Sequence, residues 1–169
     1  MSNHKSLMDF VLYLCLFFGQ TIRFLMAEVL FKKGKLFAWF LFSLGGVYVN
    51  RDAFDFGFMS ESISILDKGG IVGIFPESRL PVNGKPWPFK PSVSYIAIHS
   101  GAPIIPVYTD GNYGLFKRAN VVIGTPIQLS DYCNSTNPDE KEIERLTALL
   151  EEKIGELKEF LEADAKKKV

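Results

Sequence analysis

The sequence predicts an α/β domain, a single unit with a central, mostly parallel mixed sheet flanked by helices. Three observations carry that expectation. Short apolar runs rich in β-branched residues recur at 47–50, 71–75, 104–108 and 121–124. Stretches of helical character separate them, and three of these close on glycine stops, at Gly34, at Gly45 and Gly46, and at Gly69 and Gly70. Apolar residues make up 47% of the 169, which supplies the core of one domain without disulfide staples. Helices alternating with short apolar strands bury both faces of the sheet, the condition under which parallel strands are found.

Taken in order, Ser6 followed by Asp9 has capping-box spacing and opens an apolar helix that runs towards Phe18. Residues 21–31 read as a second helix, ended by Lys32, Lys33 and Gly34, a cationic terminus with a stop. Residues 36–44 make a third, and the strand at 47–50 follows its glycine pair. Asp52 is placed to cap a helix that ends near Lys68, before the strand at 71–75. Four prolines and the dipeptide Asn83-Gly84 make residues 81–91 a loop. A helix is expected over 92–100, and the last two strands come after it. Asn137-Pro138-Asp139-Glu140 starts the final helix. There Ile143, Leu146, Leu150, Ile154, Leu157 and Leu161 form an apolar stripe at helical spacing, so residues 137–165 should be an amphipathic helix packed on a single domain spanning 1–169.

Composition narrows the function. Basic and acidic side chains number 19 each, so no net field draws the protein to nucleic acid. The balance is uneven along the chain: residues 1–130 carry 12 basic and 8 acidic groups, and residues 131–169 carry 7 and 11. Cys15 and Cys133 stand far apart, with neither a disulfide framework nor zinc spacing, as expected in a reducing compartment. No histidine–carboxylate cluster has metal-ligand spacing, so no metal is required. The longest apolar stretch, 36–49, has 14 residues, short of the roughly 20 that a spanning helix needs. Asp9 falls where the apolar part of a signal peptide would lie. A soluble or peripheral protein is the expectation. Aromatic residues are 14% of the chain, with Phe concentrated in the first 60 positions, which favours an apolar substrate or a membrane surface.

In open α/β sheets chemistry collects at the carboxyl ends of strands, which points to the loops after Asn50, Phe75 and Tyr108. His4 lies five residues before Asp9, just ahead of a helix. A carboxylate so placed fixes the imidazole tautomer and stabilises the imidazolium formed when a hydroxyl proton is taken. The spacing equally allows Asp9 to be only a helix cap. Arg51 follows one strand, and Glu77 and Arg79 follow another. Two arginines at neighbouring strand ends suit a bidentate grip on an anion, and a salt bridge to Glu77 suits the same residues.

Together these segments resemble the glycerolipid (lysophospholipid) acyltransferase family. Asn3-His4-Lys5-Ser6-Leu7-Met8-Asp9 is similar to its N-H-x-x-x-x-D first motif. Gly46-Val47-Tyr48-Val49-Asn50-Arg51 resembles the second, a glycine five residues before an arginine. Phe75-Pro76-Glu77-Ser78-Arg79 resembles the third, usually F-P-E-G-T-R, and Ala102-Pro103-Ile104-Ile105-Pro106-Val107 the fourth, an apolar strand with a proline. The four occur in family order within residues 2–127, and four in order are far more specific than any one.

The resemblance implies a glycerol-phosphate acyltransferase-like fold with His4 as general base and Asp9 orienting it. It places Arg51, Glu77 and Arg79 around the acceptor's phosphate and glycerol, and gives Pro103 and Pro106 the strand on the acyl-donor side. The third motif is one residue short before Arg79, which makes Lys90 a candidate for the missing charge. The implied reaction moves a fatty acyl group from an acyl thioester to the free hydroxyl of 1-acylglycerol-3-phosphate, forming phosphatidic acid in phospholipid synthesis. The donor would be acyl-coenzyme A or an acylated carrier protein, a co-substrate, with no further cofactor. Other acceptors, glycerol-3-phosphate or another lysophospholipid, stay open. A lipid acceptor adds a membrane partner: residues 10–42, flanked by Arg23, Lys32, Lys33 and Lys35, suit peripheral attachment at the cytoplasmic face of the cell membrane. Family members carry a strand ahead of the histidine, which here is fourth in the chain. If that strand is absent, the sheet loses a member beside the site, and the alternative is a catalytically silent, membrane-binding form of the fold.

Overall fold

A computed structural model describes residues 1–28, 32, 34–43, 45–49, 57–114, 118–135 and 137–167. The elements run α1 (Asp9–Leu16), β1 (Ile22–Ala27), α2 (Lys35–Ser43), β2 (Val47–Val49), α3 (Gly57–Asp67), β3 (Ile71–Gly73), α4 (Ser92–Ser100), β4 (Val107–Thr109), β5 (Val121–Ile123), a 3-10 turn (Leu129–Tyr132) and α5 (Glu140–Lys167). Strands β2, β1 and β3 form a parallel sheet with β1 in the middle, and β4 pairs with β5 antiparallel. This is the mixed, helix-flanked α/β architecture that the alternation of elements predicts.

Residues 22–27, expected within a helix, are instead the central strand. Ile22, Phe24 and Met26 alternate into the core while Arg23 is exposed, and β1 pairs with a neighbour on each side. Most of a central parallel strand is buried on both faces, so its sequence is nearly continuous in apolar residues, and Phe, Leu and Met suit a helix equally well. Two-sided pairing decides the outcome. Asn50 and Asp52 lie outside the described residues, as do Lys33 and the C-terminal part of the stretch expected as that helix.

Ahead of His4 the chain makes backbone contacts with both sheets. Ser2 donates its amide to Ile74 O at 3.0 Å, and Val107 donates its amide to Met1 O at 2.9 Å. Ser2 makes a parallel bridge to Val107. Residues 1–3 thus lie between the end of β3 and β4, and join the two sheets. Asn3 extends the join with its side chain, donating from Nδ2 to Thr109 O and accepting the Thr109 amide at Oδ1, both at 2.9 Å. The first residue of the N-H-x-x-x-x-D motif imitates a backbone pair.

Two apolar clusters form the core. Val93, Ala97, Ile104, Ile127, Leu129, Leu146 and Leu150 make one, and Tyr13, Ile22, Phe24, Met26, Leu41 and Val107 the other. Consecutive residues Ile74 and Phe75 pack against different clusters, as neighbours on an extended strand must, so the clusters lie on opposite faces of the sheet. Helices α1 and α2 therefore cover one face, and α4 and α5 the other. Buried Ser94 and Thr147 share a 2.7 Å hydrogen bond where α4 meets α5. The stops behave as their composition requires: Gly69, at φ +76°, and Gly70 return their amides to Leu66 O and Ile65 O to close α3.

Candidate active site

The pair predicted from sequence is assembled at the start of α1. His4 Nδ1 is 2.9 Å from Asp9 Oδ2, with the Asp9 side chain fully buried and the imidazole 15% exposed. The backbone turns sharply between them. The amides of Lys5 and Ser6 donate to the same Oδ2 at 2.6 and 2.8 Å, and the Asp9 amide returns to Ser6 O at 3.1 Å. Asp9 therefore gathers the turn ahead of α1 and the imidazole on one oxygen, while α1 itself has no side-chain cap, Met8 being its N-cap residue.

Burial alone would raise the Asp9 carboxyl, but hydrogen bonds from His4, Ser6, Tyr113 and Lys5 outweigh it and hold it below its ordinary value. Ionised, it accepts only, so the shared hydrogen bond is donated by His4 Nδ1. The imidazole stacks on Phe75, with ring centroids 4.4 Å apart and planes at 18°.

The turn after β3 brings in the third motif. Ser78 donates its amide to Phe75 O at 2.9 Å and has φ +60°, the left-handed conformation. The family's usual glycine occupies that place because it enters this region freely, whereas serine enters it with strain. The turn buries Glu77 to 3% exposure beside the pair, where its Oε1 accepts the His4 amide at 3.1 Å. Among the described residues its Oε2 has no hydrogen-bond partner. Burial pushes the Glu77 carboxyl upward against the His4 hydrogen bond and nearby charges. Asp9 meets the His4 ring and Glu77 its backbone amide, and the two carboxyls are shifted in opposite directions.

Other sequence candidates fall at varying distances from this centre. Arg79 is exposed and lies over the Trp87 ring, 5.5 Å from its centroid, with the indole N–H bonded to Leu80 O. Lys90 has an exposed side chain, and its amide donates to Pro76 O at 2.9 Å, closing the neck of the loop after Glu77. Pro103 is exposed, whereas Pro106 is buried and accepts the Gly124 amide at 2.8 Å. Arg51 lies outside the described residues.

One residue in the centre escaped the sequence reading. The Tyr113 hydroxyl donates to Asp9 Oδ1 at 2.5 Å across 104 positions of sequence. Only its place in the loop after a strand end, a region worth inspecting on general grounds, pointed to it.

Beside the pair, a cavity of about 210 Å³ opens among Tyr13, Phe17, Ile22, Phe24, Phe75 and Val107. Phe75 belongs to both places, one ring facing the cavity and the imidazole. Gly73 also lines it, and a Cβ there would come within 2.5 Å of the Phe24 ring. No helix among the described residues is long and apolar enough to cross a membrane.

A helix-flanked parallel sheet with a His–Asp pair at its strand ends, beside an apolar cavity, defines the class of protein, and comparison with known proteins agrees. The acyltransferase family model matches residues 1–110, and the chain belongs to that family. It is 28% identical over 108 residues to the chloroplastic 1-acyl-sn-glycerol-3-phosphate acyltransferase BAT2 of Brassica napus, covering 63% of this chain and 30% of that protein. It superimposes on the crystal structure of PlsC, the 1-acyl-sn-glycerophosphate (LPA) acyltransferase of Thermotoga maritima, with a TM-score of 0.62 and 27% identity, over 93% of this chain and 64% of that one. The chain thus spans less than two thirds of either relative's length.

Proposed function

We propose that this chain transfers a fatty acyl group from an acyl thioester to the free hydroxyl of 1-acylglycerol-3-phosphate, giving phosphatidic acid and a free thiol. The observation that carries the reading is the His4–Asp9 pair, with its imidazole stacked on a ring of the apolar cavity. His4 Nε2 takes the hydroxyl proton as the oxygen attacks the thioester carbonyl, and the same proton leaves on the thiolate when the tetrahedral adduct collapses. Asp9 holds the Nδ1 proton throughout. The cavity suits an alkyl chain because it is lined by aromatic and aliphatic side chains. Arg51, Arg79 and Lys90 are the cations proposed for the acceptor's phosphate, with Glu77 at its glycerol. Acyl-coenzyme A or an acylated carrier protein supplies the thioester.

Thiol release from palmitoyl-coenzyme A, with and without 1-acylglycerol-3-phosphate, tests this reading. Acceptor-dependent release with a new ester is expected. Release of free fatty acid regardless of acceptor would make the protein a hydrolase, and no release from folded protein would favour the silent form.

Peripheral attachment at the cytoplasmic membrane face is part of the proposal. Leu36, Trp39 and Phe42 of α2 are 80%, 66% and 54% exposed and sit on one stripe of the helix beside Lys35, and Phe18 after α1 is 92% exposed. Aromatic side chains flanked by lysines suit an anionic lipid interface. Co-sedimentation with anionic phospholipid vesicles at low salt is expected, and a Trp39→Ala, Phe42→Ala double variant should pellet less. Wild-type protein that stays in the supernatant would remove the membrane from the proposal.

A further inference from the structure

We propose that Tyr113 is a positioning residue of the His4–Asp9 pair: its hydroxyl clamps Asp9 Oδ1, so that Oδ2 stays on the imidazole. The inference rests on the reading of His4 as the base, but its geometry stands independently. Asp9 is fully buried, and its oxygens together offer about four acceptor sites. Oδ2 already receives the His4, Lys5 and Ser6 N–H groups, and Oδ1 receives the Tyr113 hydroxyl. A carboxylate gripped at one oxygen only can still rotate, because its terminal torsion is broad and nearly two-fold. A donor on the other oxygen fixes that rotation. It also draws charge from Oδ2, which moderates the pull on the imidazole proton.

The loop that carries Tyr113 is held in a way that supports this role. The Asp110 carboxylate accepts the Asn112 amide at 2.9 Å, the Asn120 amide at 3.1 Å and Asn120 Nδ2 at 2.8 Å, and so gathers both ends of the excursion after β4. Gly111, at φ +69°, lies so close to Lys5 that a Cβ would meet the Lys5 Cβ at 2.5 Å. Its amide is held by Thr109 Oγ1 at 3.2 Å, and Tyr113 donates its own amide to Gly111 O at 2.9 Å. The loop is therefore seated against the residue next to His4. Burial and the Asp9 contact push the tyrosine hydroxyl upward, so it stays protonated as a donor.

Tyr113→Phe removes the hydroxyl and keeps the ring. The proton NMR spectrum tests the clamp without relying on turnover. The imidazole Nδ1 proton, held against a buried carboxylate, should give a far-downfield resonance that His4→Gln abolishes. In Tyr113→Phe this resonance should move further downfield, because Asp9 Oδ2 regains charge. With substrates, kcat should fall about tenfold, the scale seen when a group orienting a functional side chain is lost, while KM for donor and acceptor stays unchanged. A phenylalanine variant with the wild-type resonance and kcat would make Tyr113 a packing residue and overturn the proposal. A wild type that shows the resonance but transfers no acyl group would defeat the functional reading alone, and the resonance in the variant would still decide the clamp.

Discussion

Replacing His4 by alanine should lower acceptor-dependent acyl transfer by about 10² to 10⁴-fold, the contribution of a positioned general base. His4 makes a cleaner probe than Asp9. Its tie to Glu77 runs through the backbone amide and survives the substitution. Asp9 loses one donor but keeps the Lys5 and Ser6 amides and the Tyr113 hydroxyl. Asp9→Ala would instead orphan two half-buried amides and the Tyr113 hydroxyl at once, and its lost activity would be confounded with lost structure. Steady-state thiol release checks the His4 prediction, with a thermal melt beside it. Activity within about threefold of the wild type, in a protein that melts normally, would exclude His4 as the base.

The largest effect on stability should come from Leu146. This side chain has no exposed surface and packs with Val93, Ala97, Ile104, Ile127, Leu129 and Leu150. Leu146→Ala should cost about 3–4 kcal/mol from lost transfer and the remaining cavity. For a protein whose net stability is roughly 5–15 kcal/mol, that is a large share, and at about 2–4 °C per kcal/mol it lowers the melting midpoint by about 10 °C. Urea denaturation gives the direct measure. A loss below about 1 kcal/mol would show that α5 is only loosely applied and that the domain does not depend on it.

How far such features can be read from sequence depends on whether their cause is local. Residues 92–100 form a helix as expected, because Pro91 before it and Gly101 after it, the latter at φ +64°, mark its ends within the segment itself. The stripe of α5 was legible through its period: Ile143, Leu146, Leu150 and Ile154 are buried, with Thr147 beside them, while Leu157 and Leu161 further along are half-buried. Residues 22–27 were misread because the deciding fact, a pairing partner on each side, lies outside the segment. The candidate site divides the same way. His4 and Asp9 share one turn of chain, and Glu77 falls within a recognisable motif. Tyr113, in a polar loop 104 positions from Asp9, carries no periodicity or spacing that could announce it. Residues 1–3 are too few to show any periodicity, and only their hydrogen bonds to Ile74 and Val107 reveal that they bridge the two sheets.

That short junction also shapes how the molecule can assemble. Asn3 meets Thr109 across 106 positions, and the chain between them contains most of the sheet. Contacts of such separation form late, because the entropy of closing so large a loop must be met before they stabilise anything. During synthesis the residues around His4 leave the ribosome before Thr109 does, yet they wait for the fourth strand and the loop behind it before they acquire a fixed geometry. The His4–Asp9 pair should therefore be among the last parts to become ordered. A nascent chain halted anywhere before Thr109 would hold the histidine and its carboxylate without the strand edge that seats them. Acyl-transfer competence should accordingly appear in one step with completion of the sheet, with no partially active precursor.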